Sequence, residues 1–188
     1  MKIAILGSPC SGKTTLIKSL EKDRYVQNNF NKIIVVEDLA RVFVEYGNLL
    51  QWGSQDGLNK IAKGYEQILT ETITKKDILF SDLSSLITEF YLYRVENIKL
   101  TTIHNIYDLV FFCLPVDKQI KDKGRQFCPE EMLKINDEML RFYESIGIDL
   151  IKLENTDLND RKTQVINQIK SFILSKNEKD FIFLKETV

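Results

Sequence analysis

One stretch near the amino terminus restricts the possible folds of this chain more than any other. Residues 3–14 read IAILGSPCSGKT, an apolar run that breaks at Gly7 and ends in Gly12, Lys13 and Thr14. A G-x-x-x-x-G-K-[ST] spacing between a strand-like run and a helical pattern is typical of a loop whose backbone N–H groups cradle phosphate. The sequence therefore predicts a nucleotide-binding loop. Its residues are Gly7, Ser8, Pro9, Cys10, Ser11, Gly12, Lys13, Thr14 and Thr15.

The chemistry of this loop assigns roles to its last residues. Lys13 is expected to reach the β- and γ-phosphates of ATP, and the Thr14 hydroxyl is expected to bind Mg²⁺. A helix beginning near Lys13 adds its positive amino-terminal end to the site. Asp82 ends a further apolar run, ILFSD, where a carboxylate is expected to bind the metal. Asp82 has a second candidate role, because a carboxylate there could accept the proton of a reacting hydroxyl.

Short apolar runs alternate with helical patterns along the chain. The apolar runs cover residues 2–6, 32–36, 77–82, 107–115 and 148–153. The helical patterns cover residues 14–22, 39–46, 58–74, 84–97, 129–142 and 158–175. This alternation predicts an α/β fold with five mostly parallel strands and helices on both faces, the arrangement of a phosphate-loop NTPase. The 188 residues suit a single domain, with 176–188 predicted as a carboxy-terminal tail.

Composition excludes several classes of protein. Lys and Arg number 26 against 27 Asp and Glu, so no excess of charge indicates a nucleic-acid or membrane partner. The cysteines Cys10, Cys113 and Cys128 contain no C-x-x-C pair, which argues against a zinc site or a disulfide framework. No apolar run approaches the roughly 18 residues of a membrane span. We therefore expect a cytoplasmic protein whose partner is a small molecule; its oligomeric state is not indicated.

Several patterns favour phosphate transfer over nucleotide hydrolysis. The sequence TKKD at 74–77 is similar to a guanine-reading loop, but it precedes a strand-like run instead of following one. No D-x-x-G follows a strand either. The LSSLIT that follows Asp82 lacks the adjacent Glu with which a hydrolytic motor activates water. A kinase acting on a small molecule is therefore the preferred interpretation, and a partner-regulated ATPase is the alternative from a different class.

Two further segments are candidates for the acceptor side of such a site. Glu37 follows the second apolar run, and Arg41 lies one helical turn beyond it. Together they are candidate substrate-binding residues, although an ordinary surface i, i+4 ion pair explains the same spacing. The segment DKQIKDKGRQF at 117–127 is polar and contains Gly124. It is a candidate lid, with Arg125 as its catalytic cation, or else a solvated charged loop.

Taken together, these motifs resemble a known family. GSPCSGKTTL, VEDLARVFVE, LQW, IAKGYEQ, FSDLSSLIT, KDKGR and GIDLIKLE are similar to the ribosylnicotinamide kinase domain of bacterial NAD-biosynthesis proteins. That domain lies within a wider group of small phosphate-loop ATPase and kinase domains that are AAA-like. The resemblance covers about residues 1–155.

The resemblance implies phosphorylation of the 5′-hydroxyl of a nucleoside-like acceptor by Mg²⁺-ATP, with nicotinamide riboside as the leading candidate. It implies that Lys13 and Thr14 serve the phosphates and the metal, and that Asp82 serves the substrate hydroxyl or the metal. It also implies that Glu37 and Arg41 line the substrate pocket and that Arg125 belongs to the lid. Where the family often has a ring-stacking aromatic residue before the glutamate, this chain has Val36. Trp52 and Tyr65 are candidates to stack on the substrate instead, or they pack in the core or at its rim. A deoxynucleoside or a nucleoside monophosphate is the alternative acceptor.

Overall fold

Parallel strands form one sheet in the described part of the chain. The structure is a computed structural model that describes residues 1–36, 73–82, 84–96, 106–115, 129–154 and 157–186. The strands are β1 (Lys2–Leu6), β2 (Ile33–Val36), β3 (Ile78–Ser81), β4 (Leu109–Cys113) and β5 (Ile151–Leu153). They lie in the order β2-β3-β1-β4-β5, and every pairing is parallel. The predicted five-stranded α/β fold is confirmed.

Helices flank this sheet on both sides. They are α1 (Lys13–Glu21), α2 (Arg24–Asn29), α3 (Ser85–Glu96), α4 (Pro129–Ser145) and α5 (Leu158–Glu186). Helix α2 was not predicted, because six residues carry too little periodicity to stand out. Its local signal is Asp23, whose side chain accepts a hydrogen bond from the Tyr25 amide at 2.9 Å and so caps the helix.

The end of the chain differs from the sequence prediction. Residues 176–186 continue α5 instead of forming a separate tail. This stretch contains no proline or glycine that would end a helix. The predicted strand over 148–153 is shorter in the structure, since the amide of Ile148 donates to the Tyr143 carbonyl at 3.0 Å and belongs to the turn that ends α4.

Alternation along the strands places apolar side chains on both faces of the sheet. In β1, Ile3 and Ile5 face a core shared with α1, α2 and α5, and the other face packs against α3 and α4. Strands buried on both faces read as continuous apolar runs, which explains why residues 2–6 and 109–113 carry almost no polar side chains. The helical pattern predicted over 14–22 is confirmed as α1, whose buried residues are Leu16, Ile17 and Leu20.

The parallel arrangement fixes where a site can form. The loop after β1 and the residue after β3 both lie at the carboxyl edge of the sheet, because β1 and β3 are paired neighbours. The predicted helix over 39–46 and most of the predicted helix over 58–74 lie outside the described residues, and residues 73–74 are not helical. None of the helices among the described residues combines the length and apolar character needed to cross a membrane.

Candidate active site

The backbone of the loop after β1 follows a path that its glycines permit. Gly7, Cys10 and Gly12 have φ angles of 142°, 63° and 87°, which are conformations that side chains with a Cβ adopt at a cost. Gly12 ends the loop as the amino-terminal cap of α1, and its carbonyl accepts from the Leu16 amide at 2.9 Å. The loop therefore runs directly into the positive end of a helix.

Gly7 is required for a second reason, which is its closeness to β4. A Cβ added at this position would lie 2.5 Å from the Cys113 carbonyl oxygen and 2.7 Å from the Ser11 hydroxyl. Real Cβ atoms do not approach a backbone oxygen this closely. The first glycine of the motif thus allows the loop to pack against the end of the neighbouring strand.

Replacement of Gly7 by alanine is expected to lower the free energy of unfolding by more than about 2 kcal/mol, because strain at positive φ adds to the clash. Denaturant unfolding measures this change. Gly147→Ala is the matched control, since Gly147 also has a positive φ, 73°, but its added Cβ would meet nothing within 4 Å. Equal losses in the two variants would show that the approach to Cys113 does not matter.

Lys13 lies in the first turn of α1 with its side chain folded over the loop. Its ammonium donates to the carbonyls of Gly7 and Ser8 at 3.1 and 3.0 Å. The charge is thereby held against the backbone of the loop that is expected to bind phosphate. The contact between Lys13 and the terminal phosphates of a nucleotide stays a prediction.

Thr14 and Asp82 meet although 68 positions separate them in the sequence. The Thr14 hydroxyl donates to a carboxylate oxygen of Asp82. Asp82 is 3% exposed, and its amide donates to the Val36 carbonyl at 2.9 Å, which extends the pairing of β2 with β3. The sheet therefore fixes the carboxylate beside the first turn of α1.

The Thr14 and Asp82 oxygens fit the requirements of Mg²⁺. This ion takes oxygen ligands and is usually held by one or two carboxylates together with substrate phosphates. Within the described ranges, no three His, Cys, Asp or Glu side chains come close enough to hold a metal by themselves. A hydroxyl and a carboxylate beside a phosphate-binding loop are consistent with a metal that arrives with the nucleotide.

The loop also contains two buried hydroxyls. Ser8 and Ser11 are fully buried, and neither side-chain oxygen has a hydrogen-bond partner in the described part of the chain. Buried polar atoms without partners are uncommon in folded proteins. Both lie in the loop that is expected to bind phosphate.

Arg161 is a site residue that the sequence did not indicate. It lies in the first turns of α5, is 2% exposed, and donates to the Ser11 carbonyl at 2.6 Å and to the Leu114 carbonyl at 2.7 Å. A side chain 150 positions away in the sequence thus holds the phosphate loop and the end of β4 together. The Ser11 and Leu114 carbonyls are backbone groups, and such contacts leave no motif by which sequence reasoning could have found Arg161.

The cysteines near the loop differ in environment. Cys113, at the end of β4, is buried beneath Gly7, and burial raises its thiol pKa to about 11 although the charges of Arg161 and Lys13 act to lower it. It is therefore a neutral core side chain at neutral pH. Cys10 lies in the phosphate loop and is partly exposed.

All the residues predicted for the acceptor and the lid lie outside the described residues. They are Glu37, Arg41, Trp52, Tyr65 and Arg125. Val36 is described, and it ends β2 with its side chain nearly buried in the core formed with α3 and α4. The structure thus brings together the residues predicted to bind phosphate and metal, and the roles of all the predicted site residues stay predictions.

Comparisons with known proteins agree with this description. A family model described as an AAA domain matches residues 2–161. Among solved structures, a NadR protein in complex with NR superposes with a TM-score of 0.63 at 19% identity over 91% of this chain. This chain spans about half of the NadR chain, 51%. No curated protein sequence matches the chain.

Two kinases are also similar in fold. Deoxyadenosine kinase from M. mycoides with bound dATP has a TM-score of 0.59 at 16% identity, covering 90% of this chain and 99% of its own. Thymidylate kinase from Ehrlichia chaffeensis has a TM-score of 0.60 at 17% identity, covering 90% of this chain and 98% of its own. At such identities the likeness shows the fold, that of the phosphate-loop NTPases. Because the family model covers most of the chain, including the loop and Asp82, this protein belongs to the AAA domain family.

Proposed function

We propose that this protein is an ATP- and Mg²⁺-dependent kinase that transfers the γ-phosphate to a nucleoside-like acceptor. The contact between Thr14 and Asp82 at the mouth of the phosphate loop carries the proposal. It joins a metal-binding hydroxyl to a carboxylate at the carboxyl edge of the sheet, where ligands of open α/β sheets bind. The fold shared with deoxyadenosine and thymidylate kinases supports the same reaction class.

Each site residue that the structure describes has a defined task in this reaction. The loop N–H groups and the amino terminus of α1 bind phosphate oxygens. The Lys13 ammonium exchanges its carbonyl partners for the β- and γ-phosphates and stabilises their charge during transfer. Thr14 and Asp82 would hold Mg²⁺, which when bound with ATP neutralises charge on the phosphates. Catalysis then consists mainly of positioning and charge stabilisation.

Nicotinamide riboside is the proposed acceptor. The motif resemblance to ribosylnicotinamide kinase domains supports it, and so does the fold likeness to a NadR protein whose structure contains NR. We propose that Glu37 and Arg41 bind this acceptor, that Trp52 and Tyr65 stack on its ring, and that Arg125 closes over the phosphates.

A deoxynucleoside or a nucleoside monophosphate is the second candidate acceptor. This chain spans nearly the full length of the deoxyadenosine kinase and thymidylate kinase chains, but only about half of the NadR chain. The fold likeness over nearly the whole of these two kinase chains supports this candidate. The AAA domain match also keeps a partner-regulated ATPase as a candidate from a different class.

The experiment that separates these candidates measures ADP formation from Mg²⁺-ATP with one acceptor at a time: nicotinamide riboside, deoxyadenosine, deoxycytidine or thymidylate. We expect nicotinamide riboside to stimulate turnover above the other acceptors by at least about tenfold. Mass spectrometry of the product confirms transfer to the acceptor. Preference for a deoxynucleoside would replace the proposed acceptor and keep the kinase, and slow turnover that ignores every acceptor would favour the regulated ATPase.

A further inference from the structure

Arg161 connects three parts of the molecule that are far apart in the sequence. Its guanidinium lies at the start of α5 and binds the carbonyl of Ser11 in the phosphate loop and that of Leu114 just beyond β4. The planar fork of arginine allows two such bonds in a fixed relative geometry, which lysine cannot reproduce. At 2% exposure the side chain has little freedom to move.

The bond to Ser11 fixes a peptide group that the phosphate site uses. Ser11 immediately precedes Gly12, the amino-terminal cap of α1. Because the peptide unit is planar and trans, its C=O and the following N–H point in opposite directions. Holding the Ser11 carbonyl toward Arg161 therefore turns the Gly12 N–H away from α5 and keeps it in one orientation. Gly12 has φ 87°, one of several backbone conformations open to glycine, so a contact at Ser11 can select this one among them.

The guanidinium also packs directly against this part of the loop. A Cβ added to Gly12 would lie 3.6 Å from an Arg161 terminal nitrogen, at van der Waals distance. The charges of Arg161 and Lys13 both act on the Cys113 thiol beneath the loop, where they oppose the effect of burial on its pKa. Two cations thus contact the loop. Lys13 lies in the first turn of α1, and Arg161 reaches the loop from α5.

We propose that Arg161 is a positioning residue that holds the phosphate loop in its anion-binding conformation and couples the docking of α5 to phosphate binding. The inference rests on the proposed function only in that the loop binds nucleotide phosphates, and it is independent of the acceptor. A loop held in its bound conformation binds more tightly because less conformational freedom is lost on binding.

The test uses Arg161→Gln and Arg161→Lys, with binding measured by calorimetry for Mg²⁺-ADP and, separately, for pyrophosphate. We expect Arg161→Gln to weaken both ligands by roughly 10- to 100-fold, since it removes the charge and the fork. Arg161→Lys keeps the charge without the fork, so its loss is expected to be smaller. Pyrophosphate has no base or sugar, so a parallel loss locates the effect at the phosphates.

Tyr143→Phe is the matched control. It removes another buried hydrogen bond, from the Tyr143 hydroxyl to the Leu86 carbonyl at 3.0 Å, on the opposite face of the sheet. We expect it to lower the midpoint of thermal unfolding and to leave both affinities within about twofold of the original protein. A purely structural Arg161 would behave in the same way, so the comparison separates stability from positioning.

Each outcome decides the inference. Unchanged pyrophosphate affinity in a folded Arg161 variant would overturn it, including the case in which only ADP binds more weakly, because Arg161 would then act on the nucleoside part. If Arg161→Gln does not fold, Arg161→Lys decides, and its affinities for both ligands must fall. Failure of every acceptor to stimulate ADP formation would refute the kinase proposal without affecting these binding results.

Discussion

Lys13→Ala is expected to lower acceptor-dependent ADP formation by roughly 10²- to 10³-fold, the range typical of removing one charge-stabilising group from a transition state. The ammonium lies 3.1 and 3.0 Å from the Gly7 and Ser8 carbonyls, so the substitution removes a positive charge that is held against the loop. Those two contacts are partly exposed, and their loss should change the free energy of unfolding by no more than about 1 kcal/mol. Steady-state kinetics and denaturant unfolding measure the two quantities.

Lys18→Ala supplies the control for this prediction. Lys18 lies in the same helix, in its last turn, and is exposed. The variant also removes one positive charge from α1, but at a position away from the loop. Its turnover is expected to stay within about twofold of the original protein. Near-normal activity of Lys13→Ala would contradict the assignment of the loop, whatever the acceptor is.

Local patterns were enough to predict most of the described architecture. The apolar runs of β1 to β5 and the helical spacing of α1 are patterns formed by neighbouring positions, which a sequence shows directly. The order β2-β3-β1-β4-β5 is different in kind, because it depends on which strands pair across long connections. Composition and spacing contain no direct record of that choice.

The candidate site was likewise predictable where local motifs indicate it and unpredictable where it depends on long-range contacts. Thr14 was predicted from the phosphate-loop motif and Asp82 from its place at the end of an apolar run, and their contact follows from the pairing of β1 with β3. Arg161 was missed because a side chain that binds backbone carbonyls can approach any sequence. Nothing in the identity of Ser11 or Leu114 predicts a contact with an arginine side chain.

Asp82→Asn is expected to lower phosphate transfer by about a hundredfold or more, whether Asp82 binds Mg²⁺ or accepts the acceptor proton. The substitution keeps the size of the side chain, and the amide oxygen can still accept from the Thr14 hydroxyl. The backbone bond from residue 82 to the Val36 carbonyl is untouched. The loss of activity is therefore expected in a protein that folds normally, which circular dichroism and thermal unfolding check.

Asp77→Asn is a matched control at the opposite end of β3. Asp77 is also buried, but it lies at the amino edge of the sheet, where the Thr74 hydroxyl and amide donate to its carboxylate at 2.7 and 3.0 Å. These bonds lower the pKa of Asp77 from its ordinary value of 3.8. Its contribution to stability is therefore present above about that pH and is lost as the pH falls through the lowered pKa. The variant should lose this acid dependence of stability and keep its phosphate transfer.

Magnesium dependence separates the two roles of Asp82. If the carboxylate binds the metal with Thr14, the Mg²⁺ concentration for half-maximal activity rises in Asp82→Asn, and excess Mg²⁺ restores part of the rate. If the carboxylate accepts the proton, that concentration stays unchanged and the rate stays low at saturating Mg²⁺. We expect the first result, because the direct contact between Asp82 and the Thr14 hydroxyl places both oxygens where one ion can bind them. A loss of less than about fivefold at every Mg²⁺ concentration would remove Asp82 from the site.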